Sequence, residues 1–501
     1  MSYRALPTGG DDVVFDNLRK KVRDNFVGWY LYAFSSEPFI VSAVSTYVPL
    51  LLEQFARING VKVEDHSVSC ANSDGQCVLG LFGGRWHIDT SSFALYTFSL
   101  SVLFQTLLVI SVSGVVDRWK SVKFKGNVVV VFGIVGAIST LIISQLKTSQ
   151  FYSLAIFSIM ANCCYGVVNV VGNSLLPIFV ADSIKVTENL SDSDSEKITS
   201  ITSGRGSGLG YLGALVVQIV SIVLVKRSKS HDNIQLAVLL VGLWWLVWQT
   251  PMTWLLQDLA PIDPEGVDLR FTNIKRYVGY GWKSLFESLR NARLMKDVMI
   301  FLIGWFIISD SITTINSTAI LFAKTELKMT TVNLIVVSVL SLVSGIIGAF
   351  VVPELLSARL KLSPQHSLMA IICWASVIPF YGTLGFFLSS VGLKHKFEMY
   401  FLAIWYGISM GGLAAVSRSI FSLIIPPGKE STFFSLFNVT DKGSSILGPA
   451  LVGFLTDRTH NIRYSFYLLL LLLIVSLPVF RMLDVDRGKR EAKEISDLAI
   501  E

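Results

Sequence analysis

The chain is poor in charge. Only 16% of its 501 residues are Asp, Glu, Lys or Arg, against about 25% in an ordinary soluble domain. With 52% hydrophobic residues, a fold surrounded by water would expose very large apolar patches. Histidine is scarce, at 6 residues, and no nucleophile triad or paired histidines point to an enzyme. No Gly-rich Lys-Ser/Thr loop is present, which argues against an ATP-driven pump. No metal or cofactor site is expected. Residues Met1 to Val27 lack the apolar core of a cleavable signal, so the first membrane helix is expected to act as its own signal. The C-terminus carries no lipidation motif. The net charge of +6 is spread over many short loops and reads as a membrane-face bias, not a nucleic-acid surface.

Long apolar runs occur from end to end. A helix needs about 20 mostly apolar residues to cross the hydrocarbon core. Twelve such spans are expected, at 28–55, 91–117, 126–146, 150–181, 205–225, 234–257, 297–323, 330–356, 367–390, 397–426, 432–456 and 463–483. The runs are continuously apolar, which excludes an alternating membrane barrel. With the N-terminus inside, inner segments hold about 26 Lys and Arg and outer ones about 13. Both termini are therefore expected in the cytoplasm.

A long loop at 258–296 divides the twelve spans into six plus six, with tails at 1–27 and 484–501 and six-helix bundles at 28–257 and 297–483. Two strings repeat across the halves. Ser203-Gly-Arg205-Gly206-Ser207 opens the expected helix 5, and Thr440-Asp441-Lys442-Gly443-Ser444 opens helix 11. Gly28-Trp29-Tyr30 followed by Glu37 in helix 1 is matched by Gly304-Trp305-Phe306 followed by Asp310 in helix 7. Parallel six-plus-six repeats are the architecture of major facilitator transporters. Gly114-Val-Val-Asp117-Arg118, after helix 2, resembles a degenerate form of that superfamily's Gly-x-x-x-Asp-Arg motif. Asp117 is expected to accept bonds from the N-terminus of helix 11 and latch one conformation.

Longer strings go further. Gly28-Trp-Tyr-Leu-Tyr-Ala-Phe-Ser-Ser-Glu37-Pro-Phe, Asn173-Ser-Leu-Leu-Pro-Ile-Phe and Ser417-Arg418-Ser419-Ile-Phe-Ser are three of them. A fourth is Pro426-Pro-Gly-Lys-Glu-Ser-Thr-Phe-Phe, running on into Thr440-Asp-Lys-Gly-Ser-Ser-Ile-Leu-Gly-Pro. Together they closely resemble the fungal autophagy-related protein 22 family over nearly the whole chain. The resemblance implies a vacuolar membrane protein that exports leucine, isoleucine and tyrosine to the cytosol. A non-transporting scaffold or receptor on a transporter fold is the alternative.

Ionisable residues at membrane depth are costly and usually functional. Glu37 and Asp310 are candidates to bind a proton or the substrate ammonium. Pro38 removes a backbone donor just after Glu37, so the helix is expected to bend or open there. Asn162, Tyr165, Asn169 and Asn173 form a polar stripe on helix 4, facing either a cavity or a partner helix. Tyr30, Thr314, Asn316 and Ser409 complete the candidate binding set. Arg118, Arg205, Arg418, Asp441 and Lys442 join Asp117 as gate candidates, with Arg418 either holding Asp441 across the gate or receiving a substrate carboxylate. Trp244, Trp245 and Trp248 read as packing, and the pairs Gly204/Gly206 and Gly411/Gly412 as points of close helix approach. Cys70 and Cys77, in the first external loop, are expected to form a disulfide. With only His66 and His87 nearby, zinc lacks ligands. Ser191 and Ser193 lie in an acidic loop expected to be disordered and are phosphorylation candidates. The expected partners are an amino acid, protons and the bilayer.

Overall fold

The structure is a computed structural model. It describes residues 12–62, 68–70, 77–82, 84–119, 121–186, 192–227, 233–259, 295–329, 331–388, 390–444 and 461–498. Positions 279, 281–283, 286, 447, 448, 451, 452, 455 and 459 are described singly or in short pieces.

Helices dominate. Helix α1 (Asp12–Pro38) runs through a π-helical stretch, Phe39–Tyr47, into α2 (Val48–Ile58). A three-stranded antiparallel ribbon follows, β1 (Val61–Lys62), β2 (Cys77–Leu81) and β3 (Trp86–Asp89), in the order β1-β2-β3. Then come α3 (Thr90–Arg118), α4 (Val122–Ile143), α5 (Phe151–Val186), α6 (Asp192–Arg227), α7 (Asn233–Gln249) and the short α8 (Met252–Leu255). The second half holds α9 (Lys296–Thr325), α10 (Thr331–Pro353), α11 (Pro364–Leu384), α12 (Lys396–Ile424), α13 (Glu430–Ser444) and α14 (Ser465–Arg481), and α15 (Val485–Leu498) follows. Eleven spans are long and apolar enough to cross a membrane over the described residues. Helix α13 begins the twelfth. The arrangement is the two-bundle major facilitator fold.

The first span differs most from expectation. It runs unbroken over 43 residues, Asp16–Ile58, or about 65 Å, twice the hydrocarbon thickness of about 30 Å. It starts well before residue 28 because Leu18 and Val22 on the polar segment pack, with Phe26, against Val186 at the end of α5. At Pro38 the helix does not break but passes from α to π geometry. A residue at 38 would normally donate to the carbonyl of Phe34, and proline has no N–H. The Trp244 Nε1 donates to that carbonyl instead, at 2.9 Å, and the Trp244 and Trp248 rings pack on Phe34. The tryptophans are packing residues, as their composition suggested.

Helix α6 also starts early, at Asp192, so part of the expected disordered loop is helical. Acidic residues in a first helical turn complement the dipole. Ser191 lies outside the described residues, as does the side chain of Ser193. The strings at 203–207 and 440–444 therefore fall inside helices α6 and α13 instead of opening them.

The halves meet along α6 against α10 and α12, and along α13 against α3 and α5. Glycine permits the closest approach within the second half, where a Cβ on Gly411 would lie 2.0 Å from the Gly345 carbonyl. The end of the bundle that gathers the start of α1, Asp258 and α15 is here called the terminal end. Asp258 caps α4 there, accepting from Val122 N at 2.7 Å. At the opposite, ribbon end, Cys70 and Cys77 are joined by a disulfide.

Candidate substrate site

A cavity of ≈ 310 Å³ lies between the halves, near the lower bound of typical small-molecule sites, about 300–1,000 Å³. From the first half, α1 contributes Tyr32, Ala33, Glu37 and Ile40, and α5 contributes Tyr165, Asn169 and Asn173 at four-residue spacing. That spacing keeps side chains on one helix face. The Tyr32 hydroxyl lies 3.0 Å from the amide oxygen of Asn169 and 3.1 Å from that of Asn173. Asn173 Nδ2 donates to Asn169 Oδ1 at 2.9 Å. This network fixes the wall beside Glu37. Behind it, Trp29 is fully buried and donates to the Gly172 carbonyl at 2.8 Å.

The second half supplies Trp305, Ser309, Ile312 and Thr313 from α9, Met410, Leu413, Ser417 and Arg418 from α12, and Phe437, Asp441 and Lys442 from α13. Asp441 accepts from Ser309 Oγ at 2.6 Å and from Trp305 Nε1 at 3.2 Å. The Arg418 guanidinium lies 5.8 Å from the Trp29 ring centroid. Its Nη1 is buried and finds no hydrogen-bond partner among the described residues. An unpaired buried donor costs about 1–3 kcal/mol, and more when charged. A ligand carboxylate would remove that cost.

The terminal end is closed by a buried charge cluster. Asp117, at the end of α3, accepts from Ser431 N at 2.8 Å and Thr432 N at 2.6 Å, at the start of α13. Lys125 on α4 is 1% exposed and lies 3.4 Å from Asp117 Oδ1 and 3.3 Å from Glu430 Oε2. Ser431 Oγ meets Ser174 Oγ at 2.9 Å, and Ser203 Oγ donates to the Ala415 carbonyl at 2.7 Å. Lys489 on α15 pairs with Glu196 on α6 at 2.5 Å. These contacts join the halves at the terminal end.

The structure sorts the sequence candidates. Glu37, Tyr165, Asn169 and Asn173 line the cavity. Asn162 does not, because its Nδ2 donates to Ser101 Oγ at 2.8 Å and ties α5 to α3. Asp310 turns away from the cavity and accepts from Gly448 N at 2.7 Å. Thr314 is buried on that same side, Asn316 lines a separate void of ≈ 30 Å³, and Ser409 bonds back to the Trp405 carbonyl. Tyr30 lies in a groove at the terminal end with Arg205. The sequence makes Arg418 and Asp441 candidate gate partners. They line one cavity, and Asp441 is held by α9. Lys442 is also in the wall, 4.0 Å from Asp441. The side chain of Arg118 lies outside the described residues. Sequence reasoning missed Tyr32, Tyr211, Ser309 and Lys125. The signal for Tyr32 was Gly172 on α5, where a Cβ would strike the Tyr32 ring at 2.6 Å.

Solved structures match this architecture at low identity. A bacterial homologue of the iron transporter ferroportin, in an outward-facing state, superposes with TM-score 0.59 at 15% identity, over 92% of this chain and 98% of that one. The E. coli fucose:proton symporter gives TM-score 0.61 at 13% identity, over 92% and 98% of the chains. A human organic anion transporter gives 0.61 at 11% identity, over 92% and 99%. These likenesses establish the major facilitator fold. The relationship within it is much closer at the sequence level. The profile of the family described as vacuole effluxer Atg22 like matches residues 21–493. Autophagy-related protein 22 of Kluyveromyces lactis is 61% identical over 499 residues, 99% of this chain and all of that protein. Its counterpart in Saccharomyces cerevisiae is 60% identical over 521 residues, 99% and 98% of the two chains. The chain belongs to the vacuole effluxer Atg22-like family.

Proposed function

We propose that this protein moves neutral amino acids of the leucine, isoleucine and tyrosine class from the vacuole lumen to the cytosol by alternating access. The observation that carries the proposal is that Glu37 and the unsatisfied Nη1 of Arg418 are presented from opposite halves to one cavity. A zwitterion needs an acceptor for its ammonium and a donor for its carboxylate. Glu37 is the acceptor and, on release of substrate, a group able to take a proton. Arg418 Nη1 is the donor. Ile40, Ile312, Met410 and Leu413 offer an apolar wall to the side chain. The family's description as vacuole effluxers supports this compartment and direction.

In this reading both termini are cytosolic, the bundles are 28–257 and 297–483, and the terminal-end seal holds the lumen-facing state. Rocking of the halves would separate Asp117 from the α13 N-terminus and Lys125 from Glu430, and open the cavity to the cytosol. Asp310 positions α9 against the segment after α13. Efflux of a panel of amino acids from proteoliposomes with an acidic lumen tests the proposal. Glu37→Gln and Arg418→Gln are expected to lose leucine efflux, and Asp310→Asn to slow it less. Undiminished, still pH-dependent efflux in the first two variants would remove both groups from the mechanism.

A further inference from the structure

A second site lies apart from the substrate cavity. At the terminal end, α1 between Arg19 and Tyr30, the last turn of α5 and the helix α6 enclose a groove of ≈ 420 Å³. Arg19, Arg23 and Arg205 line it. Arg19 and Arg23 are four residues apart and share a face of α1. Arg19 pairs with Asp16 and Arg23 with Asp24, each at 3.8 Å, and neither acid lines the groove. Arg205 has no ion-pair or hydrogen-bond partner among the described residues. No acidic residue lines the groove, and Arg205 faces it without an ion pair among the described residues. Its floor is apolar, with Val22, Phe26 and Val186, and Val27 on its rim is 42% exposed.

We propose that this groove is a binding site for a phosphomonoester. Guanidinium groups are planar forks that match phosphate oxygens two at a time, and three of them suit a dianionic phosphate better than a singly charged one. Basic pockets between membrane helices at a bilayer face are where anionic headgroups are recognised. The apolar floor suits the glycerol and first methylenes of a lipid, whereas a free phosphate would use the arginines alone. Arg205 thus belongs to this site and not to the gate. The site is independent of the cargo, because its residues do not touch the cavity between the halves.

The test uses the purified full-length protein in detergent, titrated with dioctanoyl phosphatidic acid, dioctanoyl phosphatidylserine and inorganic phosphate, with thermal stabilisation and native mass spectrometry as readouts. Phosphatidic acid is expected to bind at least about tenfold more tightly than phosphatidylserine, and Arg19→Gln/Arg23→Gln/Arg205→Gln to weaken it by about tenfold or more. Arg205→Lys, which keeps the charge but loses the fork, is expected to weaken it too, and this single variant serves if the triple one fails to fold. Competition by inorganic phosphate at similar affinity assigns a soluble source, and its failure to compete assigns a lipid. Equal binding of both lipids, or binding unchanged in the arginine variants, overturns the proposal.

Discussion

Lys125 is the group whose loss should most change the conformational balance. It is buried between two carboxylates, Asp117 of its own half and Glu430 of the other. Changing it to Met keeps most of the volume and removes the cation. Glu430 then faces Asp117 with no positive charge between them. Breaking a buried ionic cluster by removing one partner costs about 3–5 kcal/mol. Asp117 keeps its two backbone donors, Ser431 N and Thr432 N, so the lower figure, about 3 kcal/mol, applies. Opening the terminal end hydrates both carboxylates and recovers that energy. The equilibrium should therefore shift toward the open terminal end by about 100-fold. The assay is thiol labelling of Ser174→Cys, a position fully buried against Ser431 in the closed state, in a background with Cys163, Cys164 and Cys373 changed to Ser. Lys125→Met should raise the labelling rate by up to two orders of magnitude. Lys125→Met with Asp117→Asn and Glu430→Gln should restore most of the protection, because no unpaired charge remains. An unchanged labelling rate in the single variant would refute the reasoning.

Other consequences follow from named contacts. Trp244→Phe leaves the Phe34 carbonyl, already deprived by Pro38, without the Trp244 donor and should cost about 1 kcal/mol, read as a lowered Tm of the purified protein. Lys489→Glu places two acids together at α6 and α15 and should loosen the terminal end by about 1 kcal/mol. The reversed pair Lys489→Glu/Glu196→Lys should recover the wild-type labelling of Ser174→Cys, and failure to recover it would deny the contact. Gly411→Leu drives a side chain into the Gly345 carbonyl of α10. It should destabilise the second half by more than about 3 kcal/mol, seen as loss of monodisperse protein on size exclusion.

How much was visible in the sequence depended on what kind of signal each feature left. Hydropathy located the membrane helices because lipid demands long apolar runs. Asp117 pointed to the start of helix 11 because a degenerate motif carried the geometry. Helix starts were less legible. Residues 12–27 and 192–204 are polar enough to read as loop, yet they are helical where Leu18, Val22 and Ser203 meet neighbouring elements. Rotation about the helix axis was the hardest to read. Tyr30 and Tyr32 differ by two residues, which turns a side chain across the helix, and only the partner residue Gly172 distinguishes them. Periodicity grouped Asn162 with Asn173 correctly on a polar stripe. It could not reveal that the stripe leaves the cavity and enters the α3 interface one turn before Tyr165. Asp310 matched Glu37 by repeat logic, but the acid that the second half brings to the cavity is Asp441 on α13.

Leucine from which either charged end has been removed probes whether one cavity holds both ends of an amino acid. Leucine, isopentylamine and 4-methylpentanoate should be compared as competitors of labelled leucine binding to the purified protein. Leucine should compete and both truncated compounds should fail. Arg418→Gln should abolish the preference for leucine over isopentylamine, and Glu37→Gln the preference over 4-methylpentanoate. Competition by either truncated compound as effective as that of leucine, in the unaltered protein, would rule out a site that binds both charged ends.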